Sequence, residues 1–336
     1  MQSGRGEIRA TIFGASGYAG LELTRLLARH SKLQLAALTS DRWVGESVAT
    51  RAGVPSTLSY CAHEAGLEAA LKCDLALLAT PAETSLELAP KLLAAGVRVV
   101  DLSGAFRLKD ATLYPRFYGF THSHPALLEK AIYALPELSR EGVRGAQLIA
   151  NPGCYPTAAA LGLTPLTRAG LIDAKSVVIN AASGVSGAGR KASEEYSFME
   201  IAQDFRPYKV LRHQHTPEIE QATGARVVFT PHLLPLQRGI VCTTVATLRA
   251  GADAAAVKTA FADAYANESL ISLVEKADSV RLSAAANTPR AIIGASVDDG
   301  HVVVISAIDN LLKGAASQAV QNLNLSLGFP ELEGLS

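Results

Sequence analysis

Apolar residues fall into short runs set off by turn residues, and the spacing within each run predicts its form. Residues 8–13 alternate around Ala10 and Ile12, and 33–38, 74–79 and 97–102 are largely apolar runs, each set off by Gly, Pro or Ser nearby, which predicts strands, that at 74–79 buried. Between them apolar positions recur at helical spacing, as at Leu21, Leu23, Leu26 and Leu27, and again up to Leu93. Strands alternating with helices predict an α/β unit of the Rossmann type, with a doubly wound parallel sheet. The pattern changes after a further strand end at 148–150. Runs at 177–182, 227–230, 240–248, 292–297 and 302–308 read as strands, the last two joined by Asp298-Asp299-Gly300, a hairpin signal. With an amphipathic helix at 254–266, this predicts a second, α+β domain with a mixed, largely antiparallel sheet. The expected division is 1–153, completed by a C-terminal helix within 313–336, and 154–312. Residues 224–226 and 251–253 read as surface turns, and no internal repeat is present.

The turns carry the chemistry. The first strand runs into Gly14-Ala15-Ser16-Gly17-Tyr18-Ala19-Gly20 and then a helix. In that context Gly14 allows a tight turn, Gly17 admits a pyrophosphate to the backbone, and Gly20 lets the helix pack on the strand. The phosphates would rest on the helix N-terminus, beside Ser16 and Tyr18. The second strand ends at Ser40-Asp41-Arg42, where a dinucleotide's ribose 2′ position falls. Ser40 and Arg42 suit the phosphate of NADP, whereas Asp41 opposes it. Loops at the carboxyl ends of later strands add Thr80, Pro81 and Ser103 as cofactor contacts. Arg107 has two readings: a fork for a carboxylate or phosphate, or an ion pair with Asp110.

Gln147 to Thr157 holds the sequence Asn151-Pro152-Gly153-Cys154-Tyr155-Pro156-Thr157, turn chemistry followed by an Ala/Leu-rich helix. Cys154 thus stands where a strand hands over to a helix N-terminus, which lowers a thiol pKa and makes a nucleophile. The competing reading is a small buried core cysteine. Ser183-Gly184-Val185-Ser186-Gly187-Ala188-Gly189-Arg190 is rich in donors and suits an anion nest or, alternatively, a mobile linker. In Tyr208-Lys209-Val210-Leu211-Arg212-His213-Gln214-His215-Thr216-Pro217-Glu218, Thr216 reads as an N-cap and Pro217 as the first helical residue. His213 and His215 then lie just before a helix start, placed either to exchange protons or to cap that helix. His122 and His124 lack a third ligand nearby and read as packing, so no metal site is expected.

Composition narrows the classes. The 336 residues are too many for one ordinary core, and 49% hydrophobic with 18% charged residues fits a well-buried enzyme. Lys+Arg and Asp+Glu are 31 each, which gives no field for nucleic acid or membrane. The polar start Met1 to Arg9 does not read as a leader, and no apolar run is long enough to span a bilayer. The four cysteines, Cys61, Cys73, Cys154 and Cys242, are scattered, which argues against disulfides or zinc and for a reducing cytoplasm.

Taken in order, GASGYAG, VVDLSGAFRL, NPGCYPTAAAL, ASGVSGAGRKAS, HQHTPEIEQ and DNLLKGAA resemble the N-acetyl-γ-glutamyl-phosphate reductases nearly end to end. The chain is similar more broadly to aspartate-semialdehyde dehydrogenases. The resemblance implies NADPH-dependent reduction of N-acetyl-L-glutamyl 5-phosphate to the semialdehyde, in arginine biosynthesis, through a cysteine thioester. It places the nucleophile at Cys154 and the acid/base in the His213–His215 segment, where His215 is the first choice for the proton exchange and His213 the second. Substrate contacts would come from Arg107, Ser183, Gly184, Arg190 and Tyr208, with Glu218 orienting either a His or the substrate amide, and with Gly187 and Asn310 adding to the NADP(H) site. The family implies a homodimer or homotetramer. Where many members read Leu-Pro-His-Gly after the third strand, this chain has Thr80-Pro81-Ala82-Glu83. Two other classes stay open: a sibling enzyme acting on aspartyl or carrier-linked aminoadipyl phosphate, and an NADP-binding redox sensor switched at Cys154.

Overall fold

The computed structural model describes residues 7–335; Met1 to Gly6, most of the polar start read as no leader, lie outside that range. The chain divides into two compact units. The first takes the described residues up to Thr112, then Thr121–Pro152, and the end of the chain from Ala315; the second takes Leu113–Phe120 and Gly153–Gly314.

In the first unit six strands form one parallel sheet: β1 (Ile8–Phe13), β2 (Leu33–Leu38), β3 (Leu75–Leu78), β4 (Arg98–Asp101), β5 (Ile132–Tyr133) and β6 (Leu148–Ala150), in the order β2-β1-β3-β4-β6-β5. Its central strands are apolar on both faces, as a parallel sheet covered on both sides requires, and all four residues of β3 are buried. The helices α1 (Tyr18–Leu27), α2 (His63–Ala70) and α3 (Ala82–Ala94) connect the strands. The doubly wound expectation is met. The C-terminal helix α7 (Ser317–Leu327) packs against α1, where His30 Nε2 and Asn324 Oδ1 lie 2.8 Å apart.

The second unit is a seven-stranded mixed sheet. Its strands are β7 (Val177–Gly184), β8 (Arg206–Pro207), β9 (Val227–Leu234), β10 (Ile240–Thr247), β11 (Ile271–Leu273), β12 (Ala291–Asp298) and β13 (His301–Ile308), in the order β11-β12-β13-β10-β7-β9-β8. The β11–β12 and β7–β9 pairs are parallel and the rest antiparallel. Asp299 at φ 42° and Gly300 at φ 71° close the β12–β13 hairpin as a type I′ turn. The unit's main helices are α4 (Cys154–Arg168), α5 (His215–Thr223) and α6 (Ala254–Tyr265). Residues 155–166 of α4 are all buried, so α4 is the core against which β10, β13, α5 and α6 pack.

The structure departs from the sequence reading in three places. Leu113–Phe120 belongs to the second unit, not to a first domain running unbroken from 1 to 153. Its rings pack on each other, with Tyr114 and Phe120 centroids 5.4 Å apart. The strand expected at 227–230 continues through Pro231 to Leu234. Proline is tolerated near a sheet edge, and here the outer neighbour β8 pairs only with His232 and Leu233. Helix α5 opens at His215 rather than Pro217, and the hydroxyl of Thr216 caps nothing.

Candidate active site

The second unit contains a cavity of about 230 Å³, lined by the start of α4, the end of β7 and the approach to α5. Cys154 is the first residue of α4 and half-buried. Its N-cap, Gly153, is extended at φ −70° and ψ 157°, with no side chain of its own to cap the helix. The thiol therefore meets the positive end of a helix dipole, which favours the thiolate. The core-cysteine reading does not hold, because Cys154 lines the cavity. Cys242 shows the contrast: it is fully buried, and burial pushes its thiol up to about 12.

Both imidazoles line the same cavity and are buried, their ring centroids 4.7 Å apart. Their roles differ. His213 Nδ1 accepts the backbone N–H of His215 at 3.1 Å, so His213 caps α5 and carries its proton on Nε2. Burial, and then the charge of Lys209, push the His213 pKa down to about 3, which keeps that ring neutral. His215 is the first residue of the helix that His213 caps. Tyr155 and Tyr208 complete the wall: Tyr208 Oη donates to Tyr155 Oη at 3.2 Å, and Tyr155 Oη donates to His232 O at 2.9 Å. Burial first, and the charge of Cys154 further down, raise both phenol pKa values, so both stay protonated donors.

Several predicted substrate residues gather here. Ser183, Gly184 and Tyr208 line the cavity, as does Gly187, which the sequence reading gives to the cofactor. Gly184 has a packing reason as well, since a Cβ there would lie 2.8 Å from Arg238 N. The Ser183–Gly189 stretch is no mobile linker: Ser186 N donates to Gln237 O, and Asn310 Nδ2 donates to Ser186 Oγ at 2.9 Å. Asn310 Oδ1 also accepts from Gly239 N at 2.7 Å, so this residue braces the cavity loops.

Other assignments need correction. Arg107 lies buried in the first unit, where Nε donates to Asn151 O at 2.8 Å and Nη2 to Leu102 O at 2.6 Å. It staples the ends of β4 and β6, and Asp110 bonds to Thr112 instead. Glu218 is fully buried and its Oε1 accepts Gly153 N–H at 2.8 Å, so it addresses the protein and not the substrate. Sequence reasoning missed Tyr155, Lys209 and Gly314. A Cβ at Gly314 would come 2.8 Å from Cys154 Cβ, so glycine there keeps room beside the sulfur. The available signal was the lone glycine of DNLLKGAA, which falls in a π-helical turn, Leu312–Ala316.

The glycine turn of the first unit fits a dinucleotide. Gly14 has φ +74°, and a Cβ on it would lie 2.4 Å from Ala79 O; a Cβ on Gly20 would lie 2.3 Å from Gly14 O. Gly17 is the N-cap of α1, with no side-chain cap, and a Cβ there would meet only Gly14 O, at 3.3 Å. The first-turn N–H groups around Ser16, Tyr18 and Ala19 lie at a helix start with no side-chain cap, which suits a phosphate. Ser40, assigned to the 2′-phosphate, is buried and its Oγ accepts from Arg42 N and Trp43 N, at 3.1 and 2.9 Å. It shapes the loop, and the exposed Arg42 is the cation left at that position. Ser103 likewise turns inward to Asp101, at 2.8 Å. Thr80 bonds Ser85 at 2.9 Å, and Pro81 is the N-cap of α3. Among the described residues there is no cluster of three or more His, Cys, Asp or Glu placed to hold a metal, and no helix long and apolar enough to cross a membrane.

Comparison with known proteins agrees with this geometry. Residues 9–146 match the semialdehyde dehydrogenase NAD binding domain, and residues 154–310 the semialdehyde dehydrogenase dimerisation domain. The N-acetyl-gamma-glutamyl-phosphate reductase of Pectobacterium carotovorum subsp. carotovorum is 45% identical over 336 residues, covering 98% of this chain and 99% of that one. The reductase of the same name from Symbiobacterium thermophilum is 41% identical over 338 residues, covering 98% and 97%. Among solved structures, aspartate semialdehyde dehydrogenase II from Vibrio cholerae, complexed with ASA, shares the fold at a TM-score of 0.74 and 20% identity, covering 96% of this chain and 98% of its own. With identity above 40% across nearly the whole length, a cysteine at a helix start and a dinucleotide turn, the chain belongs to the N-acetyl-gamma-glutamyl-phosphate reductases, oxidoreductases of the semialdehyde dehydrogenase family.

Proposed function

We propose that this protein converts N-acetyl-L-glutamyl 5-phosphate to N-acetyl-L-glutamate 5-semialdehyde and phosphate, with NADPH as reductant, as a step toward arginine. The observation that carries the reading is Cys154 at the start of α4, in one cavity with His215. The Cys154 thiolate attacks the acyl carbon, the carbon–oxygen bond to phosphate breaks with its electron pair, and a thioester forms on sulfur. An acyl phosphate is already activated, so positioning is the main task. Gly14, Gly17, Gly20 and Arg42 would hold the dinucleotide, which would supply the hydride that reduces the thioester. His215 protonates the oxygen as negative charge grows there, and takes that proton back as the carbon–sulfur bond breaks to release aldehyde. The N–H groups at the start of α4 steady the same oxygen. His213 holds the backbone from which His215 projects.

The open face of the second unit's sheet carries Val178 and Val228, both exposed, beside half-buried Val241, Val245 and Val303. An apolar sheet face of this kind supports a homodimer or homotetramer. Cysteines without a disulfide fit a reducing cytoplasm.

The deciding experiment runs the reaction backward. Phosphate-dependent reduction of NADP⁺ is measured side by side with N-acetyl-glutamate semialdehyde, aspartate semialdehyde and a carrier-linked aminoadipate semialdehyde, and repeated with NAD⁺. Preference for the first aldehyde with NADP⁺ is expected. Preference for either other aldehyde transfers the assignment to a sibling enzyme, and dinucleotide binding without any turnover transfers it to a redox sensor.

A further inference from the structure

Helix α4 cannot complete its own cap. In a capping box the third helical residue is a Glu or Gln that reaches back to the N-cap N–H. In α4 that residue is Pro156, which has neither an acceptor side chain nor an N–H. The missing bond comes from another helix. Glu218 lies in the first turn of α5, and its Oε1 accepts Gly153 N–H at 2.8 Å. The carbonyl of the same glycine accepts from Thr157 N–H at 2.9 Å and from the Thr157 hydroxyl at 3.0 Å. The peptide groups on both sides of Gly153, next to the nucleophile, are therefore pinned. Glu218 is also three residues beyond His215, on the same side of α5. A fully buried carboxylate is costly unless its bonds are made, so this one is kept for what it holds.

We propose that Glu218 is a positioning residue: by capping α4 from α5, it fixes the turn that bears Cys154 relative to the helix that bears His215, without exchanging a proton with substrate. This rests on the reading of Cys154 as nucleophile, but its test does not need the acyl phosphate. The carboxylate has two effects on the thiol. The bond it makes keeps the helix start ordered and so favours the thiolate, whereas its negative charge disfavours it. Glu218→Ala removes both, and Glu218→Gln keeps an acceptor and removes only the charge. The other titratable groups lining the cavity with Cys154 are Tyr155, Tyr196, Glu195, Arg206, Tyr208, Lys209, His213 and His215, all unchanged in both variants.

The test is the pH dependence of Cys154 alkylation by iodoacetamide in the full chain, read by peptide mass spectrometry, with circular dichroism as a check on folding. Other thiols interfere little: Cys73 and Cys242 are buried, and burial raises the Cys61 thiol pKa. Glu218→Ala is expected to move the alkylation midpoint up by about one pH unit and to lower kcat about 10-fold or more, with KM for the dinucleotide unchanged. Glu218→Gln is expected to leave the midpoint at or below that of the native chain and kcat within about 3-fold. Equal losses of kcat in the two variants, with the midpoint unmoved, would make Glu218 a proton carrier and overturn the proposal. Should Glu218→Ala fail to fold, Glu218→Gln decides alone: near-native kcat supports the positioning role, and a loss of about 100-fold refutes it. If the native chain alkylates as expected but reduces no acyl phosphate, the substrate assignment fails while the midpoint shift still reports on Glu218.

Discussion

Two turns of this molecule share one design and do opposite things with it. After β1, the chain passes through Gly14 and Gly17 into α1; after β6, it passes through Pro152 and Gly153 into α4. Both helices have an extended glycine as N-cap, at ψ 164° and 157°, and neither has a side-chain cap of its own. At the first turn the backbone is packed closely against Gly14 and Gly20, and no reactive side chain follows. That start suits an anion brought from outside. At the second turn the first helical residue is a thiol, a carboxylate from α5 takes the N-cap N–H, and two histidines stand in the same cavity. That start suits an anion formed on the protein itself, a thiolate. The difference comes from which residue follows the cap and which neighbours enclose it.

The contrast breaks most decisively at Cys154. Cys154→Ser replaces a good nucleophile with a poor one, so turnover is expected to fall by about 10⁴-fold or more, with dinucleotide affinity unchanged. No acyl-enzyme should be trapped by mass spectrometry. Substantial remaining activity would mean that the second turn, like the first, only binds.

A smaller loss separates the imidazoles. His215→Asn should lower kcat by about 10²–10³-fold with little change in cofactor binding. His213→Asn should cost less in kcat, because that ring caps a helix and is held neutral. The reverse ranking would move the proton exchange to His213.

At the first turn, Gly20→Ala places a methyl about 2.3 Å from Gly14 O and must push α1 off the strand. We expect a loss of about 1–3 kcal/mol in denaturant unfolding and roughly 10-fold weaker dinucleotide binding. Iodoacetamide alkylation of Cys154 should be unchanged. A change in that reactivity would show that the two turns do not work separately.

How far these features were legible follows from what each residue type signals. The parallel sheet was readable because an apolar run such as Leu75–Leu78 is too short for a buried helix and too apolar for a surface loop. The glycine turn was readable because its glycines sit between a strand and a helix at fixed spacing, two of them where a Cβ would clash with backbone. Polar side chains were another matter. Ser40, Ser103 and Arg107 were placed in the right loops, yet all three turn inward to bond the backbone or Asp101, and residue type says nothing of direction. Glu218 was picked out, but its partner Gly153 lies 65 positions away, a distance no local pattern spans. Gly314 and Lys209 escaped notice because their value is proximity to Cys154 and His213, which only the fold creates.

The gentlest probe of the comparison is acid. The His213 pKa is depressed from 6.5 to about 3 by burial and by Lys209, so the folded chain holds this ring neutral where the unfolded chain would protonate it. A depressed folded pKa means that the stabilisation is complete above pH 6.5 and is lost as pH falls from there toward 3, by at most about 1.4 kcal/mol per pH unit. His213→Gln keeps an acceptor for the His215 N–H but cannot titrate. Its unfolding free energy should therefore decline less than that of the native chain between pH 6.5 and 4.5, even if it starts lower at pH 7. The first turn, from Gly14 to Gly20, contains no histidine, so Gly20→Ala should lose stability by the same amount across that range. Parallel acid profiles for the native chain and His213→Gln would show that the imidazole is not held neutral, and the capping role assigned to it would have to be given up.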